Sequence, residues 1–225
     1  MWVKSIWRRQ DESSSYWSSS GHWPGYCERV LGHEVFGIDL QDGTIEHRDY
    51  RHYIADVSDK DQLPYIPYVD ILVNNAGSWS QDVDNIKNNL ESAILCTEKY
   101  ALRPGIKSVV NIVSVSAHNG AEFPRYAASK GGLLTYTKWT AQEIAKYGAV
   151  CNSVSPGGVI TPSNNHIIQS EELYKRVCDE TLLGKWANPE EIAEWVYFMA
   201  AVNRSATAQD IVIDNGEMAK FNFVW

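Results

Sequence analysis

The sequence predicts an α/β fold, a Rossmann-like doubly wound parallel sheet in a single domain. Short runs of β-branched and aliphatic residues alternate along the chain with longer segments of helical periodicity, an alternation typical of doubly wound folds. The strongest run, residues 69–74 (VDILVN), carries Ile, Leu and Val in succession, as expected of a strand buried on both faces of a parallel sheet. The length of 225 residues and the 44% hydrophobic content suit one sizeable globular domain.

Strands and helices follow in order from residue 33. The predicted strands cover residues 33–39, 51–57, 69–74, 108–115, 150–155 and 210–214. The predicted helices cover residues 84–102, 126–147, 171–183 and 189 to about 201. The last helix begins with Pro189 in its first turn, followed by two glutamates. Only 11 residues join the first strand to the second, and 11 join the second to the third, so helices in these connections should be short or absent.

The first thirty residues differ from the rest of the chain. Four of the nine tryptophans and two triple-serine runs fall there, with no alternation or helical period, so no secondary structure is predicted for them. The chain therefore divides into an aberrant N-terminal segment, residues 1–30, and an α/β domain, residues 31–225. The charged residues near the N-terminus are not followed by the apolar run of a secretory signal, which makes the cytoplasm the expected location.

Composition argues against several classes of function. The formal net charge of −8 argues against a nucleic acid as partner, because a phosphate backbone attracts basic surfaces. No stretch approaches the roughly 18 consecutive apolar residues of a membrane span, so no membrane partner is predicted. The four cysteines are scattered without a CxxC spacing, so neither a zinc site nor a disulfide framework is indicated, and no other metal cluster is predicted.

Motifs that carry chemistry follow successive predicted strands. They are NNAG at residues 74–77, Asn89 in the next helix, Ser114 at the end of the next strand, YAASK at 126–130 and SPGGVITP at 155–162. In this order and on these elements, the motifs resemble those of the short-chain dehydrogenase/reductase family over roughly residues 33–216. The resemblance implies an oxidoreductase with a Rossmann fold that uses a nicotinamide cofactor.

Tyr126 and Lys130 are the main candidates for catalysis. They are four residues apart on a predicted helix, so both side chains lie on one face. A phenol with a reference pKa of about 10 is a poor base at neutral pH, and a neighbouring ammonium is expected to lower that pKa. Tyr126 would exchange a proton with the substrate's oxygen while the nicotinamide exchanges a hydride with its carbon. The resemblance implies that Ser114 holds this oxygen, that Lys130 also binds the nicotinamide ribose, and that Asn89 anchors a water of a proton relay.

The resemblance also implies a set of cofactor contacts. Asn74, Ala76 and Gly77 lie where a strand meets the ligand cleft of an open α/β sheet, and a glycine allows close approach of the backbone. Asp39 should accept hydrogen bonds from the adenosine ribose and repel a 2′-phosphate, which predicts NAD rather than NADP. The other implied contacts are Asp56 and Val57 at the adenine, Val159 and Thr161 at the carboxamide, and Pro156, Gly157, Tyr126 and Lys130.

The glycine-rich turn that holds the pyrophosphate in this family, TGxxxGxG, is absent from the sequence. Its nearest counterpart, residues 20–25 (SGHWPG), has bulky side chains and a proline where small residues and free N–H groups are needed. A shifted reading frame would explain this. Trp has the single codon TGG, so reading one base later at any Trp gives Gly, and Trp17, Gly21 and Trp23 have the spacing of the three motif glycines. The shifted reading of residues 16–27 is compatible with TGAAAGIGxAIA.

Two functions therefore remain open. The first is an NAD-dependent enzyme that interconverts a secondary alcohol and a ketone, with a small molecule as substrate. The second is an inactive or binding-only member of the same scaffold, because the loss of two charge-assisted amide bonds would weaken cofactor binding by about 100- to 10,000-fold.

The substrate and the oligomeric state are the least defined features. By resemblance, residues 163–183 should cover the substrate, with His166 and Trp186 as candidate pocket residues, and their mixed polarity does not favour a large apolar ligand over a small polyol or sugar. The resemblance also implies a homo-oligomer, a dimer or a tetramer, joined through the helices that carry Asn89 and Tyr126.

Overall fold

The structure, a computed structural model, describes residues 4–9, 33–43, 48–81 and 84–220. Its strands are β1 (Lys4–Arg9), β2 (His33–Asp39), β3 (Tyr50–Ile54), β4 (Ile71–Asn74), β5 (Ser108–Ile112), β6 (Val150–Pro156) and β7 (Asp210–Ile213). They form one sheet in the order β3-β2-β1-β4-β5-β6-β7. The pairs β2–β3, β4–β5, β5–β6 and β6–β7 are parallel, which confirms the predicted α/β class with a largely parallel sheet.

Helices cover both faces of this sheet. They are α1 (Ser92–Tyr100), α2 (Ser116–Asn119), α3 (Pro124–Ile144), α4 (Asn165–Ile168), α5 (Glu171–Asp179) and α6 (Pro189–Tyr197). Alternate residues of β5 show the two layers: Val109 packs in a cluster with Ile144 of α3, and Val110 in a cluster with Ile192 of α6. No helix of the described ranges is long and apolar enough to cross a membrane.

Two helices contain π-helical turns. Ile86–Glu91 forms such a turn before α1, so the helix predicted at residues 84–102 is broken in pitch at the position of Asn89. Phe198–Val202 forms the second, directly after α6. π-helical turns are rare and occur often at functional sites, where they turn a side chain away from regular helical spacing. The first turn therefore draws attention to Asn89.

Strand β1 is the main departure from the sequence prediction, which assigned no element to residues 1–30. It lies in the middle of the sheet and runs antiparallel to both neighbours, with Ile6 opposite Phe36 of β2 and Leu72 of β4. Periodicity gives no assignment here because pairing sets this strand: β2 and β4 each present a row of backbone donors and acceptors that need a partner. Local sequence carries no signal of that requirement.

The direction of β1 changes where the next segment begins. Lys4 pairs with Ile38, near the carboxyl end of β2, whereas Arg9 pairs with His33 at its amino end. The chain therefore leaves β1 at the edge of the sheet opposite to the carboxyl ends of β2, β4, β5 and β6. The segment with the proposed frame shift, residues 16–27, lies outside the described residues, as do the candidate turn at 20–25 and the remaining residues between 10 and 32.

The two short connections behave as the residue count predicts. The described residues between β2 and β3, and all residues between β3 and β4, form turns and irregular backbone without a helix. Apolar and aromatic side chains on this part of the surface are consequently exposed, including Ile54, Tyr65 and Tyr68.

Candidate active site

A cavity of about 640 Å³ lies at the carboxyl ends of β2, β4, β5 and β6. This is the edge at which open α/β sheets bind ligands, and the volume is typical of small-molecule and cofactor sites. Its lining includes residues from every predicted motif except Asn89, which lies behind it. All five of Ser114, Tyr126, Lys130, Asp39 and Asp56 line the cavity. Ser114 follows β5, whereas Asp39 ends β2 and Asp56 follows β3, so in the order of the sheet the serine and the two aspartates lie towards opposite ends of the cavity.

Lys130 is held at the centre of the site by the backbone of β5. Its Nζ donates a hydrogen bond to the carbonyl oxygen of Ile112 at 2.7 Å and lies 5.8 Å from the centre of the Tyr126 ring. The residue is 6% exposed, and burial lowers the pKa of Lys130 to about 8, partly offset by the charge of Glu122. The ammonium is thus close to the phenol, as four-residue helical spacing predicts.

The pKa of Tyr126 differs from the sequence expectation. Burial raises the pKa of its phenol well above the ordinary value, the negative charge of Glu122 adds to the rise, and hydrogen bonding with Ser114 opposes it. The expected lowering by Lys130 does not prevail, because loss of solvent around the phenolate outweighs the attraction of an ammonium that is itself partly neutralised by burial. In the protein without ligands, Tyr126 is a protonated group that can donate.

Glu122 is the site residue that sequence reasoning missed. It lies in the loop between Ser114 and Tyr126 and lines the cavity. Its Oε2 accepts a hydrogen bond from Ser116 Oγ at 2.9 Å, and Ser116 Oγ lies 3.2 Å from Ser114 Oγ. A sequence signal existed: a carboxylate in the 11-residue segment that must cross the site between a strand end and its catalytic helix.

The Asn89 side chain holds the NNAG loop. Its Oδ1 accepts a hydrogen bond from Ser78 N at 2.6 Å, and its Nδ2 donates to Ser78 O at 3.0 Å and to Ser129 Oγ at 2.9 Å. A side chain at Gly77 would place its Cβ 2.8 Å from Asn89 Oδ1, so only glycine permits this approach. The side-chain amide therefore fastens a loop to α3, and the relay-water role of Asn89 stays a prediction.

Asn74 also differs from expectation. Its Nδ2 donates to Asn111 Oδ1 at 2.8 Å and to Thr97 Oγ1 at 3.0 Å, and the residue is 2% exposed. The side chain therefore points into the interior and does not line the cavity, where Asn75 lies instead. Strand alternation explains this: Asn74 is the last residue of β4, and its side chain belongs to the covered face of the sheet.

The described residues fit the two ends of a nicotinamide dinucleotide. Asp39 is 3% exposed at the end of β2 and accepts a hydrogen bond from Gln41 N at 3.0 Å, while Asp56 Oδ1 accepts from Ser58 N at 2.8 Å. At the opposite end, Thr161 Oγ1 is buried beside the cavity and has no hydrogen-bond partner among the described residues, which leaves it available to a polar ligand. Ala76, Val57, Pro156, Gly157 and Val159 also line the cavity.

The PGG segment packs against residues 186–187, which lie just before α6. A side chain at Gly158 would place its Cβ 2.2 Å from Trp186 Nε1, and Ile160 N donates to Ala187 O at 2.9 Å. Trp186, a candidate pocket residue of the sequence analysis, therefore lines the cavity. His166 instead stacks on Trp79, with ring centres 6.3 Å apart, and meets the site only through that indole.

The fold and the cavity define an α/β protein built to hold a dinucleotide beside a tyrosine and a lysine. Residues 65–217 match the family model described as enoyl-(acyl carrier protein) reductase. The 3-oxoacyl-(acyl-carrier-protein) reductase of Thermotoga maritima is 30% identical over 187 residues, covering 73% of this chain and 75% of the relative. The 2-dehydro-3-deoxy-D-gluconate 5-dehydrogenase of Escherichia coli is 26% identical over 220 residues, covering 84% of this chain and 87% of that one.

A solved short-chain dehydrogenase family protein from Francisella tularensis is similar in structure. The TM-score is 0.71 at 25% identity, covering 82% of this chain and 88% of that one. The chain belongs to the short-chain dehydrogenase/reductase family. It is an oxidoreductase of the kind that acts on CH–OH groups.

Proposed function

We propose that the protein interconverts a secondary alcohol and a ketone with NAD, using Tyr126 as general acid and base. The observation that carries the proposal is the convergence of Ser114, Tyr126 and Lys130 at one end of a single cavity, with Asp39 and Asp56 at the other. The catalytic set is Asn89, Ser114, Tyr126 and Lys130. The fold alone would not support this reaction, because one fold hosts many chemistries.

The chain's own residues supply the proton and the orientation. When bound, the nicotinamide gives or takes a hydride at the carbinol carbon. Tyr126 donates its phenolic proton to the ketone oxygen in reduction, or accepts the alcohol proton in oxidation. Ser114 holds the same oxygen, and Lys130, fixed to the Ile112 carbonyl, stabilises the phenolate and holds the ribose. Asn89 contributes by keeping the loop at Gly77 against the cavity.

NAD is preferred over NADP in this proposal because of Asp39. Its carboxylate is buried at the carboxyl end of β2 and lines the cavity. A carboxylate here accepts hydrogen bonds from ribose hydroxyls and repels the negative charge of a 2′-phosphate. Asp56 and Val57 lie at the same end of the cavity and are proposed to hold the adenine.

The substrate is proposed to be a small, uncharged hydroxylated molecule. Besides Asp39 and Asp56, three glutamates line the cavity, Glu122, Glu180 and Glu217. The pKa of Glu217 is raised by burial and by the charges of neighbouring acids. Such a wall disfavours an anionic substrate, so the sugar acid named for the Escherichia coli relative fits less well than a neutral polyol or ketone. Trp186 and Ile167 provide apolar surface on the same side.

A second candidate, a member of the scaffold with impaired cofactor binding, is favoured by the direction of β1. Strand β1 ends beside His33, at the edge of the sheet away from the cavity, whereas a phosphate-binding turn follows a strand that ends beside the ligand cleft. Together with the missing TGxxxGxG motif, this leaves the pyrophosphate without its usual backbone donors.

Titration with NADH separates the two candidates. Tryptophan fluorescence and the melting temperature of the purified chain are followed as NADH is added. Saturable binding in the micromolar range supports the enzyme, and substrate screening with neutral ketones follows. Absence of binding up to millimolar concentrations supports the impaired scaffold.

The proposal extends to assembly and location. We propose a homo-oligomer, a dimer or tetramer, formed through α1 and α3. Trp139 of α3 is 43% exposed and stacks on Tyr136 with ring centres 5.2 Å apart, which places an aromatic patch on that face. A cytoplasmic location is proposed from the sequence alone. Light scattering of the purified chain measures the assembly.

A further inference from the structure

A chain of three side chains leads from the catalytic serine to a carboxylate that no motif assigns. Ser114 Oγ and Ser116 Oγ are 3.2 Å apart, and Ser116 Oγ is 2.9 Å from Glu122 Oε2. The backbone N–H of Ser116 also donates to Ser114 Oγ, at 3.2 Å. Both serines are at least nine-tenths buried, and Ser114 also hydrogen-bonds with Tyr126.

The ionisation state of Glu122 determines in which direction the hydroxyl groups of Ser116 and Ser114 can donate their protons. A carboxylate can only accept, so when Glu122 is ionised the Ser116 hydroxyl must donate to it. Ser116 Oγ then accepts from Ser114, and the single hydroxyl proton of Ser114 points away from the cavity. When Glu122 is protonated, its O–H can donate to Ser116, Ser116 to Ser114, and the Ser114 proton is released toward the cavity.

We propose that Glu122 is a positioning residue that controls whether Ser114 can donate a hydrogen bond to the substrate's oxygen. The reacting oxygen gains negative charge during ketone reduction, and a hydroxyl donor aimed at it stabilises that charge. With Glu122 protonated, Ser114 accepts from Ser116 N and Ser116 Oγ and donates to the substrate. With Glu122 ionised, that donation competes with the bond from Ser114 to Ser116. The inference rests on the proposed function of the Ser114–Tyr126 site.

The surroundings of Glu122 favour its protonated form more than water does. Burial of the carboxyl among protein atoms raises the pKa of Glu122, although the residue as a whole is exposed at the cavity. Ser116, the Trp79 indole and the ammonium of Lys130 oppose the rise. The other titratable groups that face it are Tyr126 on α3 and Glu217 after β7, both of which interact with its charge.

The backbone at Glu122 is also unusual. Its φ is +69°, the left-handed region that non-glycine residues seldom adopt, and holding it there costs about 1 kcal/mol. The conformation directs the carboxyl back toward Ser116 instead of into solvent. Contacts of the side chain therefore maintain an arrangement that the local backbone disfavours.

Three variants test the mechanism through the pH dependence of ketone reduction. In the wild type, kcat/KM should fall about tenfold or more as pH rises through the pKa of Glu122, since a donated bond to a charged oxygen is lost. Glu122→Gln cannot ionise, so its profile should be flat over that range. Ser116→Ala keeps the carboxylate but removes the acceptor that draws the Ser114 proton away, so its profile should also be flat.

The Ser116→Ala variant distinguishes positioning from a simple effect of charge. If Glu122 acts through space on Tyr126, Ser116→Ala retains the wild-type pH dependence and the proposal is wrong. Glu217→Gln is the matched control, because it removes another carboxylate that faces Glu122. The pH dependence of kcat/KM should be retained in this variant and should shift to lower pH, because a like charge is gone. A flat profile in Glu217→Gln would equally overturn the proposal.

An infrared titration of the protein without cofactor gives an independent reading. The protonated-carboxyl band of Glu122 is identified by its loss in Glu122→Gln, and it should shift in Ser116→Ala because the acid loses its acceptor. A band that is unchanged in Ser116→Ala overturns the proposal. If no variant and no wild-type protein turns over any ketone, the proposed function fails, and the infrared result still decides whether the chain of hydroxyls exists.

Discussion

The Ser114–Lys130 end of the cavity differs from the middle of the cavity in how the chain holds its residues in place. At the Ser114–Lys130 end, catalytic and supporting side chains are fixed by hydrogen bonds of 2.6 to 3.2 Å to other described residues. In the middle, where a pyrophosphate would lie, the sheet offers an antiparallel β1 that leads the chain away from the site. The proposed catalytic residues can therefore be held in place by contacts within the described fold, while the binding of a cofactor would depend on a separate, locally encoded turn.

Removal of the Tyr126 hydroxyl should have the largest effect. Tyr126→Phe deletes the only proposed proton donor, so turnover should fall by about 1,000-fold or more while the melting temperature changes little. The matched control is Tyr136→Phe on the same helix, because Tyr136 is not among the residues that line the cavity and has no place in the mechanism. Steady-state kinetics with NADH measure both. Turnover of Tyr126→Phe near the wild-type rate would rule out the assigned acid and base.

Translation of the gene one base later over residues 1–30 directly tests the middle of the cavity, where a pyrophosphate would lie. If the shifted reading restores the glycine turn, NADH affinity should rise by about 100- to 10,000-fold, the effect of regaining two charge-assisted amide bonds. Fluorescence titration of the two proteins side by side measures this change. A gene whose codons for residues 16–27 cannot spell TGAAAGIGxAIA in that frame would refute the frame-shift hypothesis without any protein chemistry.

The features that the sequence predicted correctly are those encoded by residues close together in the chain. Periodicity located β2 to its exact described bounds and most other strands within a few residues, because a buried parallel strand needs a run of apolar residues. Helical spacing placed Tyr126 beside Lys130. These features are local in sequence, so a single chain is enough to predict them.

Other features were not predictable because they depend on partners distant in sequence. The direction of β1 is set by pairing with β2 and β4. Asn74 points inward because Asn111 and Thr97 accept its amide. Glu122 reaches Ser116 through a loop conformation with positive φ that has no periodic signature. Each depends on geometry that only the folded chain provides.

Asp39 provides a sharper test of the adenosine end of the cavity. Asp39→Ala removes the carboxylate that repels a 2′-phosphate, so the preference for NADH over NADPH should fall by about tenfold to 100-fold. Asp42→Ala is the matched control, because Asp42 is exposed three residues later and accepts a local hydrogen bond from Gly43 N at 2.9 Å. Dissociation constants for both cofactors give the ratio. An unchanged ratio in Asp39→Ala would show that this carboxylate does not contact the ribose.

The smallest expected effect is on the free energy of unfolding, through Asn89 behind the Ser114–Lys130 end of the cavity. Asn89→Ala removes an amide that is 0% exposed and leaves the Ser78 N–H without its acceptor, so the free energy of unfolding should fall by about 1–3 kcal/mol. Asn88→Ala is the control, because Asn88 makes one bond of 3.2 Å to Ser78 Oγ and should cost less. Urea denaturation without cofactor measures both. An equal loss in the two variants would mean that the NNAG loop is held by its backbone and by packing at Gly77, and not by the Asn89 amide.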